Sequence, residues 1–215
     1  MLKSYYTVKR SGEHEITIQK SRFIAHVERT TTEKAAKSFI DSIKKQHWSA
    51  NHNCSCYIIG EQDHIQKAND DGEPSGTAGV PMLEVLKKRK LKDTTVVVTR
   101  YFGGIKLGAG GLIRAYGSAV SEGLNATGIV ERKLMNIYAS TIDYTSLGKV
   151  ENDVRSSPYL IKQIDYLEQV KLEIYVADGE ESVFENWMAN LTSGQAFIEH
   201  TGQAYLEKDI PPPGK

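Results

Sequence analysis

Asp70-Asp71-Gly72-Glu73-Pro74-Ser75-Gly76-Thr77-Ala78-Gly79-Val80-Pro81 is one half of the stretch that decides this fold. The other half is Arg100-Tyr101-Phe102-Gly103-Gly104-Ile105-Lys106-Leu107-Gly108-Ala109-Gly110-Gly111-Leu112-Ile113-Arg114-Ala115-Tyr116. Both are glycine-rich, and each runs into a segment with helical apolar spacing. The first loop is acidic and the second basic. Glycine at this density carries an entropic cost, so it marks positive φ or close backbone approach. Consecutive backbone N–H groups ahead of a helix form a natural cradle for an anion.

Working outward, Thr95-Val96-Val97-Val98 between the loops has the composition of a buried central strand and delivers Arg100 and Tyr101 to a loop edge. Pro81 belongs in a first helical turn, which predicts a helix from near Gly79 with Met82, Leu83 and Leu86 facing the core. The second helix runs from about Gly110 to Thr127, with Leu112, Ile113, Tyr116, Val120 and Leu124 on one stripe and Gly128 as its stop. Gly117 and Gly123 inside it point to tight packing on the sheet. Upstream, residues 1–29 read as β-rich. Thr30-Thr31-Thr32-Glu33 has the form of a capping box for a helix ending near Trp48, and Asn53–Gly60 reads as a strand.

The two glycine-rich blocks resemble the signature of the IMPACT/YigZ family, and Lys20-Ser21-Arg22-Phe23-Ile24-Ala25 and His52-Asn53-Cys54 are similar to its minor motifs. The resemblance covers roughly residues 15–130, with the bacterial two-domain form accounting for the rest. It implies a first domain similar to the second domain of a small-subunit ribosomal protein and to RNase PH-like domains. It implies a second domain similar to a C-terminal domain of elongation factor G. It also implies a link to translation control, which in eukaryotic members acts by interfering with activation of a starvation-sensing kinase.

The residues after about 134 repeat the elements β-α-β-β-α-β, the order of a ferredoxin-like domain. Val170, Leu172, Ile174 and Val176 alternate cleanly, and Phe184, Trp187, Met188 and Leu191 recur at helical spacing. The fold class expected is therefore α+β. A domain over 1–133 precedes a ferredoxin-like domain over 134–208, and residues 209–215, ending Pro211-Pro212-Pro213-Gly214-Lys215, form a disordered tail. Charge divides at the same place: residues 1–133 carry 21 Lys+Arg and 14 Asp+Glu, a balance of +7, and residues 134–215 carry 6 and 13, a balance of −7. No apolar run approaches the roughly 20 residues of a membrane span. Met1–Tyr6 lacks the apolar core of a signal peptide. The two cysteines, Cys54 and Cys56, are too close for an unstrained disulfide, so a reducing cytoplasm is expected. With His52 they share one strand face, but the spacing is not that of a zinc site, so packing without metal is expected.

Three readings of the paired loops stay open. In the first, Arg100, Lys106 and Arg114 pair with phosphates, Tyr101 stacks on a base, and Gly108, Gly110 and Gly111 offer backbone N–H groups; the partner is RNA, the ribosome or a translation factor. In the second, Asp70, Asp71 and Glu73 hold magnesium while the Gly108–Gly111 loop holds phosphate in a nucleotide-handling enzyme. In the third, acidic and basic loops close on each other as a scaffold for protein interaction, with Asp70 and Asp71 as turn and cap formers. No complete catalytic set is visible, and neither a cofactor nor a membrane partner is expected. The first reading is the one carried forward.

Overall fold

The computed structural model describes residues 1–211. It divides into two compact units, one of residues 1–132 with 207–211 and one of residues 133–206. The elements run β1 (Ser4–Val8), β2 (Gly12–Ile18), β3 (Ser21–Arg29), α1 (Glu33–Gln46), β4 (His52–Ile59), β5 (Ile65–Asn69), α2 (Gly79–Lys88), β6 (Thr94–Tyr101), α3 (Gly108–Thr127) and β7 (Ile129–Ile142). They continue with α4 (Tyr144–Arg155), β8 (Leu160–Tyr166), β9 (Val170–Val176), α5 (Glu181–Leu191) and β10 (Phe197–Ile210). No helix among the described residues is long and apolar enough to cross a membrane.

The first unit is built on an antiparallel sheet of order β2-β3-β6-β4-β5. Alternation along the strands sorts its two faces. Phe23, Ala25 and Val27, Cys54 and Cys56, and Val96 and Val98 enter one core with Met82 and Leu86 of α2 and Leu112, Tyr116, Val120 and Leu124 of α3. On the other face Tyr57 and Ile59 pack with Ala36 and Ile40 of α1. Each fully buried aliphatic or aromatic side chain contributes roughly 1.5–3 kcal/mol. Gly123 has the close approach that its place in a helix suggests: an added Cβ would lie 2.9 Å from Ala25 Cβ. Gly117 does not, since Val85 Cγ2 would be 3.9 Å away, an ordinary contact.

In the second unit β7, β8 and β9 pair in the order β7-β9-β8, with β10 on β7, around a core of Tyr138, Val150, Val154, Leu172, Ile174, Phe184 and Met188. The junction expected at residues 133–134 falls within β7. Two other boundaries differ from expectation. Strand β10 continues through Asp209 and Ile210, where a tail was expected, because Glu207 and Asp209 find cations: Arg29 at 2.6 Å and Lys9 at 2.7 Å. The tail's residues 212–215 lie outside the described residues. The α1 cap is Thr32, whose Oγ1 accepts from Ala35 N at 3.2 Å; Thr30 is instead buried against Thr95 Oγ1 at 2.6 Å.

Between α1 and the sheet, His26 lies 3% exposed with its ring 4.8 Å from that of His47 and its Nδ1 3.1 Å from Glu13. Burial, then the neighbouring His47, pulls its pKa down to about 4 from 6.5. The unfolded chain therefore binds the proton that the folded chain refuses, so stability falls as pH drops from about 6.5 toward 4. We predict a His26 contribution of up to about 3 kcal/mol over that window in urea unfolding. His26→Gln should flatten the profile, and an unchanged profile would exclude His26 as the titrating group.

Candidate anion-binding cleft

Sheet register brings the motif residues together. Arg100, the penultimate residue of β6, is paired with Phe23 of β3 on one side and His52 of β4 on the other. It shares strand parity with Val96 and Val98, so its side chain turns toward α3 rather than to solvent, and it is 6% exposed. There its Nη1 donates to Glu73 Oε1 at 2.6 Å, and Tyr116 of α3 donates its hydroxyl to the same oxygen at 2.8 Å. The guanidinium carbon lies 5.4 Å from the Phe23 ring centre and 5.5 Å from that of Phe102, within cation–π range of both. His52 Nδ1 sits 2.9 Å from the Asp71 carbonyl, which can only accept, so Nδ1 carries the proton; Nε2 stands 3.8 Å from Glu73. Cys54 adjoins this network, its Sγ 3.3 Å from the Tyr116 hydroxyl. Burial pushes the thiol up to about 12, so it is no nucleophile at neutral pH.

The acidic loop is occupied by its own chain. Asp70 Oδ1 accepts from Ala78 N at 3.1 Å and Gly79 N at 2.8 Å, and Oδ2 accepts from Gly76 N at 2.8 Å. The carboxylate thus fills the N-terminus of α2. Burial pushes its pKa up, but the three backbone N–H bonds outweigh it and hold the carboxyl below its ordinary value. Asp71 accepts from Asn53 N at 2.7 Å and pairs with Lys44 at 2.5 Å. Glu73 is 8% exposed and held by Arg100 and Tyr116. The magnesium reading of Asp70, Asp71 and Glu73 is therefore not supported by their placement, since each carboxylate is already committed; no group of three or more metal-ligating side chains forms among the described residues.

The basic loop presents the opposite case. Gly103 packs so closely on the Lys20–Ser21 turn that a Cβ would lie 2.0 Å from the Lys20 carbonyl carbon. Its N–H donates to Ser21 Oγ at 3.1 Å, and Phe102 N donates to Asn51 Oδ1 at 2.8 Å. The loop is thus tied down at its start. Past it, α3 begins at Gly108 with no side-chain cap and no acidic residue in its first turn. Lys106 is exposed just before this turn. Arg114 is exposed in the second turn, its Nη1 3.6 Å from where a Gly110 Cβ would sit. Lys106, Gly108 and Ala109 join Arg100, His52, Glu73, Pro74, Phe102 and Leu107 around a cleft of about 460 Å³.

The structure thus separates the residues expected to act together. Lys106, Gly108, Gly110, Gly111 and Arg114 are accessible to solvent. Arg100 as a phosphate-pairing surface residue needs correction, because Glu73 and two aromatic rings hold it in the interior. Tyr101 as a stacking platform does too: its hydroxyl lies 3.0 Å from His47 Nδ1, and Arg22 covers its ring at 5.3 Å. Phe102, 45% exposed at the cleft, is the aromatic group that the sequence reading passed over, as it did His52 in this role. Strand parity signals Arg100 and His52, both of which share a face with Cys54, Val96 and Val98.

We predict that Arg100→Ala lowers unfolding free energy by about 3–5 kcal/mol, because it leaves Glu73 buried without its counter-charge. The apolar double variant Arg100→Met/Glu73→Leu should recover most of that loss in denaturant titrations. A cost for Arg100→Ala below about 1 kcal/mol would show that the pair does not support the fold.

The Impact N-terminal domain family matches residues 19–124, a range that contains every residue lining the cleft, and a domain of unknown function, DUF1949, matches residues 141–195. The chain is 65% identical over 210 residues to the IMPACT family member YvyE of Bacillus subtilis, covering 98% of this chain and 97% of that protein. It is 35% identical to the IMPACT family member YigZ of Escherichia coli, over 82% of this chain and 88% of the relative. Human Protein IMPACT is 35% identical over 98 residues, 43% of this chain and 30% of that protein. A crystal structure titled as that of a hypothetical protein aligns with a TM-score of 0.59 at 30% identity, covering 92% of this chain and 97% of the other. On this sequence and structural agreement, the chain belongs to the IMPACT family.

Proposed function

We propose that this protein acts in translation by binding RNA, on or near the ribosome, through the surface formed by Lys106, the Gly108–Gly111 turn and Arg114. The observation that carries this reading is the start of α3. The positive end of a helix macrodipole, equivalent to roughly +0.5 charge, lies open between two exposed cations with no carboxylate in its first turn. Such an arrangement is self-repulsive without an anion and favourable with one. The family's link to translation supplies the context, and a cytoplasmic location follows from that role. Arg100 and Tyr101 serve in this reading by holding the loop from beneath. The same proposal covers the finer fold assignments. The β-α-β-β-α-β order with strands in the sequence β10-β7-β9-β8 supports a ferredoxin-like second unit. The sheet carrying α2 and α3 on one face supports the ribosomal-protein and RNase PH-like likeness of the first.

The test is fluorescence anisotropy of a single-stranded RNA across salt concentrations. Lys106→Ala/Arg114→Ala removes two phosphate contacts and should reduce the salt slope by about 1.4, at ~0.7 per contact on a single strand. Both side chains are exposed, so stability should change by less than about 0.5 kcal/mol per site. Equal affinity and slope in the double variant would dismiss this surface as the RNA site. Metal-dependent turnover of a phosphoester, lost in Asp70→Asn, would favour an enzyme instead.

A further inference from the structure

We infer that the cleft beside the α3 N-terminus takes a nucleoside monophosphate group, its phosphate on the first N–H groups of α3 and Lys106 and its base against Phe102. This rests on the reading above that the basic loop faces phosphate, and it adds a defined pocket and a defined chemical group. Three observations carry it. The buried Arg100 side chain lines the cleft, and its Nε has no hydrogen-bond partner; of its five N–H donors, one makes a short bond to Glu73 and one a 3.5 Å contact to Ser21. A buried cation with donors to spare, under an uncapped helix start, is a site for negative charge. Second, much of the remaining wall is apolar, with Phe102, Pro74, Leu107 and Leu112 beside the polar Asn51 and His52 around a volume of about 460 Å³, within the range of small-molecule pockets. Inorganic phosphate would leave that wall in water, whereas an aromatic base covers it and gains stacking on the exposed ring of Phe102. Third, the cleft's own carboxylate, Glu73, is already bonded by Arg100 and Tyr116, so it does not repel the incoming anion as a free charge would.

The same group is offered by a free nucleotide and by the 5′ end of an RNA, and the experiment distinguishes them. Binding is measured for adenosine 5′-monophosphate and for one oligoribonucleotide prepared with either a 5′-phosphate or a 5′-hydroxyl end. The wild-type protein should bind the phosphorylated oligonucleotide at least tenfold more tightly than the hydroxyl form, and adenosine 5′-monophosphate should compete for it. Tighter binding of the phosphorylated oligonucleotide than of the free nucleotide supports the RNA end as the source; the reverse order supports the free nucleotide. Phe102→Leu and Lys106→Ala should each weaken nucleotide binding at least fivefold, and circular dichroism confirms that both variants fold. Equal binding of the phosphate and hydroxyl ends, together with no binding of the free nucleotide, overturns the pocket. RNA affinity that still falls with Lys106→Ala/Arg114→Ala in that case leaves the surface reading intact. Nucleotide binding without any RNA binding does the opposite.

Discussion

The Arg100–Glu73 pair sets the geometry on which the loops depend. It joins the end of the central strand β6 to the acidic loop, and through Tyr116 it joins both to α3. Removing two charges from water costs several kcal/mol for each ion, and a single contact of 2.6 Å does not by itself offset that. The surroundings supply the remainder: a second donor on the carboxylate from Tyr116, and aromatic faces from Phe23 and Phe102 on the guanidinium. A hydrophobic pair would fill the same volume at less cost, so stability alone does not account for the charge. What an apolar pair cannot do is place a cation with unused donors on the floor of a cleft.

The two glycine-rich loops are chemically parallel up to one difference. Each leads into a helix whose first N–H groups lack partners within the helix. At α2 the need is met by Asp70, which reaches three backbone N–H groups from the preceding loop. That first helix start shows what this backbone arrangement binds: an oxyanion at 2.8–3.1 Å. At α3 the preceding loop carries Lys106 in place of an acid, and the N-cap residue Leu107 makes no side-chain cap hydrogen bond. One helix start is thus completed from within the chain and the other is not.

Much of the architecture was legible because it depends on period and punctuation. The Val96–Val98 run, the Pro81 helix start and the alternation of Val170, Leu172, Ile174 and Val176 each fix an element locally, and the observed β6, α2 and β9 follow them. Long-range pairing was less accessible. Nothing near Glu207 or Asp209 announces that Arg29 and Lys9 will hold them, so the last strand reads as a tail. Thr30 looks like a cap as much as Thr32 does until Thr95 is known to lie beside it. The site failed in a more instructive way. Arg100, Lys106 and Arg114 are equivalent as letters in a basic loop, but one sits in a strand and two do not. Parity with Val96 and Val98 marks Arg100 as inward-facing, a signal that composition hides and alternation reveals.

A formal net charge of zero argues against binding to a polyanion by bulk attraction, and this is consistent with what the surface offers. Several cations of the first unit are taken locally: Arg22 by Glu15, Lys44 by Asp71, Lys92 by Asp63 and Lys87 by Glu84. Lys87 and Lys92, two cations of the basic run at the end of α2, are among those paired, which weakens that run as a phosphate-binding face. Lys106 and Arg114 belong to a different class, because the helix end between them adds to their field instead of cancelling it. Attraction is then confined to one turn of one helix, beside a pocket of limited size. That favours recognition of a single phosphate group with its attached base over neutralisation of a long backbone, and it relates the chain's overall neutrality to the local charge at the α3 start.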